Sequence, residues 1–585
     1  ALDTKVIRWE QLRSFYQDKN WMLDRIDQLV YDLEMLREMA PAGAVNYIRK
    51  AIGYDDYLRE YANERRLKPE DLFEVIEPGG VMYRPFPGEK MHDFSERLQK
   101  KAKIPLLISC NLERGGSGGN GGLTNGTYVA SPMGCAATDD AQAAYDLAAV
   151  ACEEGGACGV NWTFEPIIDI DRNPENPITN VRTYGSDPER ILRMAKAYID
   201  ACRERKFIST IKHFPGDGVD YRDQHLMSSV NSLSVEEWDA TYGHLYQELI
   251  DYGAPTVMCS HIRQPELCRR IRPEIRDEEI MPASLSSELM QGVLREKMGF
   301  NGLIVTDATQ MVGFTCSMPR HLAVPACIER GADMFLFTIN QKEDVGYMLD
   351  GLKKGLLSHK RLDEAVTRIL ALKASIGLHQ GNPVPGREAL ACLQSREHQA
   401  AAERIADQSI TLVKNKENLL PLTPRKTPKI KLIQITNERL PESGILEEVE
   451  LFKELLEKEG FEVSYFKDGK YPDVDCSLED YKKETDLVIY FANMKVGSNQ
   501  TTIRITWDDF LGESSPKYVC DLPSLFLSFS NPYHLVDVPM VRTYINAYTC
   551  NATTVYAMVE KLMGRSEFKG ISPVDPFAGL WDTKL

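Results

Sequence analysis

The chain has 585 residues, more than one compact core accommodates, and its 43% apolar and 26% charged residues are typical of globular proteins. The formal net charge of −17 argues against a nucleic-acid partner, because a protein that binds a phosphate backbone needs a basic patch. No run of about 18 apolar residues occurs, so we expect neither a membrane-spanning segment nor a membrane partner.

The thirteen cysteines are scattered, odd in number and without a C-x-x-C pair. This usage favours buried free thiols in a reducing compartment. Together with an N-terminus that shows no secretory signal, it predicts a cytoplasmic protein. Cys152 and Cys158 lie close in sequence but have no histidines at metal-ligand spacing, so we expect no metal site.

Residues 1–77 carry apolar side chains at spacings of three and four, as in the segment from Asp24 to Leu36. That periodicity predicts helices. No β-branched run in this block could serve as an inner strand of a sheet. We therefore expect a helical N-terminal segment, 1–77, that does not complete the sheet formed by the residues after it.

Residues 78–375 alternate short apolar runs with amphipathic stretches such as 139–151 and 188–203, which predicts a parallel sheet buried on both faces. Such alternation over about 300 residues favours an α/β fold of the TIM-type (β/α) barrel class as the catalytic domain. Seven strands are visible where a closed barrel has eight, so the pattern predicts a barrel that lacks its first strand. The seven runs are 80–83, 104–109, 160–164, 208–212, 256–259, 303–306 and 334–337.

Residues 376–425 read as a linker, because a turn-rich break at 381–386 is followed by a helix over 395–407 and a strand over 409–415. Residues 426–585 again alternate strands and helices, which predicts a smaller C-terminal α/β sandwich domain. The strands expected there are 430–435, 487–491, 524–529 and 543–548.

Asp307 ends the apolar run Leu303–Thr306, at the strand end where the catalytic groups of a parallel barrel gather. A carboxylate in that position is costly unless it is paired or functional. The alternative interpretation is structural, since Asp is also a favourable N-cap for the helix that follows. Position alone does not separate these two roles.

Asp223 and His225 stand two residues apart, so on an extended segment their side chains point the same way. The carboxylate can then accept a hydrogen bond from one imidazole nitrogen and leave the other facing a substrate. The alternative is an exposed loop with incidental polar residues. The glycine-rich stretch 115–122 lacks the lysine of a phosphate loop, and it favours close approach of a loop to its neighbour.

Several segments resemble glycoside hydrolase family 3, in particular its β-N-acetylhexosaminidase branch. The matching segments are Lys212-His-Phe-Pro-Gly, the downstream Asp223-Gln-His225, Gly302-Leu-Ile-Val-Thr-Asp307, Arg182-Thr-Tyr-Gly-Ser-Asp-Pro, and Ile405-Ala-Asp-Gln-Ser-Ile-Thr-Leu-Val-Lys-Asn. The resemblance covers residues 78 to 585, and together the motifs are specific although each alone is weak.

The resemblance implies a role for each matched residue. Asp307 is expected to form a covalent glycosyl–enzyme intermediate, and His225 to act as acid/base with Asp223 orienting it. A mobile loop would bring the histidine to the substrate on closure. The substrate-binding residues implied are Asn111, Arg182, Lys212 and His213. The mechanism requires no metal or other cofactor.

Two positions depart from the family pattern. Asn111 stands where the family usually has Asp, and Pro215-Gly-Asp-Gly218 stands where the branch often has Pro-Gly-His-Gly, so the sugar preference is open. Residues 1–77 do not resemble the family's first strand and helix. Through 48–61 they resemble instead the helical C-terminal tail of a bacterial DNA helicase, which suggests a block foreign to the barrel.

The sequence thus predicts a retaining hydrolase that removes terminal β-linked N-acetylglucosamine from an oligosaccharide or glycoconjugate. The alternatives are a β-glucosidase or a glycoside phosphorylase on the same scaffold, or an inactive carbohydrate-binding homologue. A neutral imidazole acid/base repels an incoming phosphate less than a carboxylate does, which keeps phosphorolysis open. The acidic balance disfavours a nucleic-acid partner. The sequence does not determine the oligomeric state.

Overall fold

The computed structural model describes residue 73 and residues 75–585, apart from 118–121, 382, 439, 442, 467–475 and 508–511. Residues from Val75 to Leu585 form one compact unit. Apart from 73 and 75–77, the predicted helical block 1–77 and its helicase-like segment lie outside the described residues. Within the described part of the chain, no helix is both long enough and apolar enough to cross a membrane.

The first half of the described chain contains nine strands, each followed by loops or helices. They are Gly80–Met82 (β1), Leu107–Cys110 (β2), Trp162–Thr163 (β3), Thr210–Phe214 (β4), Ser229–Val230 (β5), Thr256–Cys259 (β6), Ile262–Arg263 (β7), Leu303–Ala308 (β8) and Met334–Leu336 (β9). All seven predicted runs between residues 80 and 337 contain a strand, so this part of the prediction is confirmed. Within the described residues the two short strands β5 and β7 pair only with each other, and sequence reasoning missed them.

Seven of these strands are parallel and follow one another in chain order, and we call them the first array: β1, β2, β3, β4, β6, β8 and β9. Ladders join β1, β2 and β3, and others join β4, β6, β8 and β9, while the single bridges Trp162–Ile208 and Ile167–Lys212 connect β3 to β4. The α/β architecture is therefore as predicted. Among the described residues, no ladder joins β9 back to β1 and no eighth strand stands between them.

Apolar side chains from all seven strands or their flanks meet in one cluster. Trp162 and Phe164 belong to it, with ring centroids 4.9 Å apart and planes at 76°. Leu372, from the helix His359–Ser375, packs into the same cluster. Such burial stabilises by about 25 cal/mol per Å² of apolar surface, so this cluster fixes the strand ends that carry the polar residues.

Several helices begin where the sequence supplies a capping side chain. Asp140 and Asp187 accept from the backbone N–H groups of Gln142 and Glu189, and Ser358 and Ser395 cap two later helices in the same way. The main helices are Gly88–Lys101, Pro132–Ala137, Ala141–Ala157, Pro188–Glu204, His244–Asp251, Pro265–Ile271, Arg320–Glu329, Gln341–Lys354, His359–Ser375, Arg396–Ser409, Glu447–Lys458, Leu478–Glu484 and Ala552–Leu562.

A second sheet of six strands occupies the C-terminal part of the chain. Its strands are Thr411–Asn415 (β10), Lys429–Thr436 (β11), Glu462–Tyr465 (β12), Leu487–Asn493 (β13), Ser524–Ser528 (β14) and Thr543–Asn546 (β15), in the order β10-β15-β14-β13-β11-β12. All neighbours are parallel except β10, which runs antiparallel to β15 at one edge. The strand expected over 409–415 thus belongs to this sheet, and β12 is the strand that the sequence did not reveal.

Alternate residues of the second sheet enter two different cores. Ile489 and Phe491 pack on the face covered by the helices Glu447–Lys458 and Ala552–Leu562, while Val488 and Tyr490 pack on the opposite face. Both faces are buried, which explains why these strands read as continuous apolar runs. Loops of this sheet also contact the first array, where the Tyr533 hydroxyl donates to Asp171 over 2.6 Å.

A buried carboxylate fixes the loop after β2 to the segment that leads into the second sheet. Glu154 accepts from the backbone N–H groups of Thr127 (2.7 Å) and Gln394 (2.9 Å), and from His398 Nδ1 (2.9 Å). A Cβ added at Gly116 would lie 1.9 Å from Glu154 Oε2. The glycine of this stretch therefore permits the close approach that the sequence suggested.

We expect the variant His398→Gln to lose about 2 kcal/mol of stability, because both ring nitrogens of His398 contact carboxylates, at 2.9 Å and 3.0 Å. Burial opposes protonation, but Glu154 and Glu153 outweigh it and raise the pKa of His398 above its ordinary 6.5. A raised pKa makes this stabilisation complete below pH 6.5 and lost as the pH rises through the folded-state pKa.

Thermal unfolding between pH 5 and 9 measures this effect. The difference in Tm between the wild type and His398→Gln should be largest at low pH and shrink at high pH. His244, whose ring is 38% exposed beside Glu189, supplies the control His244→Gln, which should show little difference at any pH. A gap in Tm that widens on the alkaline side would contradict the assignment.

Candidate active site

A cavity of about 800 Å³ opens at the carboxyl ends of the parallel strands, where the polar residues were expected. Its floor and one wall come from the first array, and the opposite wall comes from loops of the second sheet. Six of the predicted site residues line it, and Asp223 lies directly behind one of them. The six are Asn111, Arg182, Lys212, His213, His225 and Asp307.

Asp307 is the penultimate residue of β8 and lines the cavity. Its Oδ1 accepts from the backbone N–H of Ala308 at 2.7 Å. Burial opposes ionisation, but the imidazoles of His213, His261 and His225 outweigh it and hold the pKa of Asp307 below its usual value. The next helix begins only at Val312 with Met311 as its N-cap, so the structure does not support the alternative helix-capping role.

His225 and Asp223 form the expected pair. His225 Nδ1 lies 2.6 Å from Asp223 Oδ1, and the His225 ring is 24% exposed while the Asp223 side chain is fully buried. The local geometry differs from the extended segment that we predicted. Asp223 begins a turn, in which the backbone N–H groups of His225 and Leu226 donate to its side chain and its carbonyl respectively.

The loop that carries this pair is anchored on both sides. The His225 and Gln224 carbonyls accept from the backbone N–H groups of Val312 and Gly313, at 3.1 Å each. The Gln224 side-chain oxygen accepts from His261 N at 2.7 Å. The expected mobile loop is therefore held in place in this structure, with the histidine already at the cavity.

Arg182 lines the cavity and is held there by an ion pair with Glu113. Its Nη2 and Nε donate to the two oxygens of Glu113 at 2.8 and 3.1 Å, and Nη1 donates to the Ile178 carbonyl at 2.9 Å. Lys212 Nζ lies 2.9 Å from Glu165 and 3.6 Å from Glu113. These groups form one buried network of two cations and two carboxylates at the bottom of the cavity.

The two carboxylates of this network differ in protonation behaviour. Burial opposes ionisation of Glu113, but Arg182 and Lys212 hold its pKa well below the usual range. Burial and the Glu113 charge raise the pKa of Glu165 to about 7, against the lowering effect of Lys212. Such a raised value is common in general acids, but Glu165 does not line the cavity, so its contact with Lys212 is its evident role.

His213 is oriented by a partner that the sequence did not suggest. Its Nδ1 lies 2.6 Å from Asp169 Oδ2, and Asp169 Oδ1 accepts from the backbone N–H groups of His213 and Asp217. This arrangement leaves Nε2 of the ring for the cavity. Asp169 is separated from His213 by 44 residues, and only the pairing of adjacent strands brings them together.

Sequence reasoning also missed the residues on the far wall. They come from the second sheet, its loops and one of its helices, and are Glu438, Glu448, Asn493 and Lys495. Asn493 Nδ2 donates to Glu438 at 2.9 Å, which holds that carboxylate at the cavity. Glu438, Asn493 and Lys495 lie at or just after the ends of β11 and β13, and that position could have indicated them, whereas Glu448 lies in the first turn of the helix Glu447–Lys458.

The chemistry of the donor set suits a sugar. The cavity offers hydroxyl-binding carboxylates, guanidinium, ammonium and amide groups, with an anionic carboxylate and an imidazole exposed at its centre. Within the described residues, no group of three or more His, Cys, Asp or Glu side chains has the arrangement of a metal site. All thirteen cysteines lie in the described part of the chain and are free thiols. The cytoplasmic location remains a prediction.

The family model for the N-terminal domain of glycosyl hydrolase family 3 matches residues 60–372. This match spans more than half of the chain, and the chain belongs to that family. The resemblance that the motifs suggested is therefore confirmed at the level of the family. The model begins inside the block 1–77, and the helicase-like interpretation of that block gains no support from these comparisons.

Three relatives illustrate the range of activities among similar proteins. A β-N-acetylglucosaminidase/β-glucosidase of Cellulomonas fimi is 43% identical over 510 residues, which cover 87% of this chain and 90% of the relative. A β-hexosaminidase of Tolumonas auensis is 32% identical over 277 residues, 46% of this chain and 78% of the relative. The β-glucoside phosphorylase BglX, whose structure has been solved, is 64% identical to this chain, and the two structures superpose with a TM-score of 0.86. The match covers 88% of this chain and 92% of BglX.

Proposed function

We propose that this protein is a retaining enzyme that cleaves terminal β-linked sugars through a covalent intermediate on Asp307. The observation that carries the proposal is the exposure of the Asp307 carboxylate and the His225 ring in one cavity, each oriented by its own partners. We also propose a TIM-type barrel over 78–375, a linker over 376–425 that contributes β10, and a sandwich domain over 426–585.

In the first step, the Asp307 carboxylate attacks the anomeric carbon while the bond from that carbon to the leaving oxygen breaks. Protonated His225 gives its Nε2 proton to the leaving oxygen, and Asp223 accepts from Nδ1 throughout. The lowered pKa of Asp307 keeps the nucleophile ionised when the histidine is protonated. The two groups thus take the opposite protonation states that the step requires.

In the second step, an acceptor attacks the same carbon and the bond to Asp307 breaks. When the acceptor is water, His225 removes its proton and returns to its starting state. Two inversions at one carbon give net retention. Arg182, Lys212 and His213 are placed to hold sugar hydroxyls while this happens, and Asn111 is placed to hold a further hydroxyl.

We propose β-glucosides and β-N-acetylglucosaminides as the sugar classes. The sequence predicted N-acetylglucosamine, and the names of two similar proteins include β-glucosides. The described lining of the cavity includes apolar Phe164 and Met258 beside neutral Asn111, a combination compatible with both sugars.

A panel of 4-nitrophenyl glycosides tests the sugar class. We expect measurable kcat/KM values for the β-glucoside and the β-N-acetylglucosaminide, and about 100-fold lower values for the matching α-glycosides, because an α-linked leaving group lies on the nucleophile's side of the ring. The substitution Asn111→Asp should change the ratio between the two β-sugars. Activity confined to another sugar would overturn the proposal.

Phosphorolysis is the second candidate, and one observation favours it. The cavity is lined by exposed Arg84 and Lys495, and the group that would face the acceptor is an imidazole, which adds no negative charge against a phosphate. The similar protein named as a β-glucoside phosphorylase supports the same acceptor.

Product analysis with and without inorganic phosphate separates the two acceptors. A phosphorylase releases a sugar 1-phosphate in an amount that follows the phosphate concentration, whereas a hydrolase releases free sugar at an unchanged rate. NMR of the first-formed product determines its anomeric configuration. Inverted stereochemistry with either acceptor would reject the covalent mechanism on Asp307.

A further inference from the structure

The carboxylate of Asp223 is completed by a segment of the second sheet. Its Oδ1 is used by His225, which donates from both the backbone N–H (2.8 Å) and Nδ1 (2.6 Å). Its Oδ2 accepts from the backbone N–H of Asn499 at 2.7 Å and, more weakly, from Gln500 N at 3.4 Å. Because the side chain is fully buried, Oδ2 needs such a donor to avoid the cost of an unsatisfied charged oxygen.

The Asn499 N–H points at Asp223 because of an unusual backbone conformation. Asn499 has a φ of +65°, in the left-handed region that asparagine and glycine tolerate better than other residues. A residue type that disfavours this conformation would turn the segment and its N–H away. The sequence therefore carries, at Asn499, a residue suited to the geometry that the contact requires.

The segment around Asn499 is held at both ends. Val496 and Ile503 are buried in one apolar cluster that also includes Val181 from the first array, and Gly497 N donates to the Pro177 carbonyl at 3.1 Å. Gln500 Nε2 donates to the Lys495 carbonyl at 2.8 Å and closes the intervening turn. The donor to Asp223 is thus fixed relative to the loop that carries His225.

The position of this donor determines how the imidazole is presented. Asp223 must accept from Nδ1 for Nε2 to face the leaving oxygen, and a carboxylate free to rotate would lose that orientation. Burial opposes ionisation of Asp223, but His225 and the Asn499 N–H lower its pKa, so the charge that orients the ring is retained.

We propose that Asn499 is a positioning residue for acid/base catalysis, acting through its backbone N–H on Asp223. This inference rests on the proposed function and adds to it that the second sheet helps to orient the proton donor. Asn499 acts on Asp223 and not on the reacting atoms. Its loss should therefore affect chiefly the substrates whose leaving groups need a proton.

The test compares two glucosides that the wild type cleaves, one with an activated leaving group (2,4-dinitrophenol) and one with a poor one (phenol). The variant Asn499→Pro removes the N–H and cannot adopt a positive φ. We expect its kcat/KM, which reports the first step, to fall on the phenyl glucoside at least about ten-fold more than on the activated glucoside, because even a small misplacement of a catalytic group is costly. The variant Asn499→Gly, which keeps the N–H and the conformation, should keep the wild-type ratio between the two substrates.

A matched control allows for the general cost of proline at such a position. Asn418 also has a positive φ, of +50°, but lies exposed after β10, so Asn418→Pro should lose stability without a change in the substrate ratio. If Asn499→Pro does not fold, Asn499→Val replaces it, because a β-branched residue also disfavours this conformation. The ratio should then move in the same direction by a smaller factor.

The outcomes separate this inference from the proposed function. The inference would be overturned if Asn499→Pro lost kcat/KM equally on both substrates. It would also be overturned if Asn499→Gly shifted the ratio of the two kcat/KM values as much as Asn499→Pro does. His225→Ala serves as the reference for the proposed function. If His225→Ala shows the leaving-group dependence and Asn499→Pro does not, only the inference fails, whereas equal losses for His225→Ala reject the acid/base assignment itself.

Discussion

Replacing Asp307 by Ala is expected to reduce turnover by about four orders of magnitude or more while the protein remains folded. The carboxylate is the proposed nucleophile in the cavity, and it accepts a hydrogen bond from the neighbouring Ala308 N–H. The loss therefore falls on the chemical step. Circular dichroism and thermal unfolding measure the fold, and steady-state kinetics measure the loss.

A 2-deoxy-2-fluoro glycoside with a good leaving group identifies the nucleophile directly, because it slows the second step and leaves the sugar bound to the enzyme. We expect the labelled peptide to contain Asp307. The cavity carboxylate Glu438 provides the control, since Glu438→Gln should still be labelled. A label on Glu113 or Glu438 would reject the assignment of Asp307.

The pH dependence gives a further check on the same residue. The pKa of Asp307 is lowered from 3.8, so protonation of the nucleophile should reduce kcat/KM only below that pH. Activity is lost as the pH falls through the pKa of Asp307, because the ionised carboxylate is the reactive form.

Replacing His225 by Ala should depend strongly on the leaving group. We expect kcat/KM, which reports the first step, to fall about 100-fold to 10,000-fold on a phenyl glycoside, because its leaving group needs a proton. The fall in kcat/KM on a dinitrophenyl glycoside should be much smaller. Added azide should restore turnover of the activated substrate, because azide attacks the intermediate without needing a base. The product would then be a glycosyl azide of retained configuration.

Asp223→Asn provides the matched control for this variant. The amide keeps the size of the side chain but loses the charge that holds the ring, so we expect the same dependence on leaving group with a smaller loss. A response of His225→Ala that is equal on both substrates, or no effect of azide, would show that another group transfers the proton.

The sequence predicted local features of this fold well and long-range ones poorly. The apolar runs around Ile108, Val257 and Val305 coincide with strands because a strand buried on both faces leaves a continuous apolar signature. The edge strand Glu462–Tyr465 was missed because its run is short and partly exposed. The strand order of the first array depends on pairing between residues far apart in the chain, and no local pattern encodes it.

The same division holds for the candidate site. Asp307, His225 and Lys212 were predicted because each stands at a strand end or in a short motif. Their partners were not, since Asp169 lies 44 residues from His213 and Asn499 lies 276 residues from Asp223. The turn at Asp223 was also missed, because a D-x-H triplet is compatible with both an extended segment and an Asx turn.

The pairing of Arg182 with Glu113 has a consequence for the range of sugars that the protein can select. A free guanidinium in a closed cavity would attract carboxylated sugars, such as uronic acids, and would hold a tightly bound water in their absence. Here the fork of the guanidinium is already neutralised by the two Glu113 oxygens. This ion pair is therefore a rigid, nearly uncharged surface of hydrogen-bonding groups that matches neutral hydroxyls, and attraction of an anion falls to other groups of the cavity, such as Arg84 and Lys495.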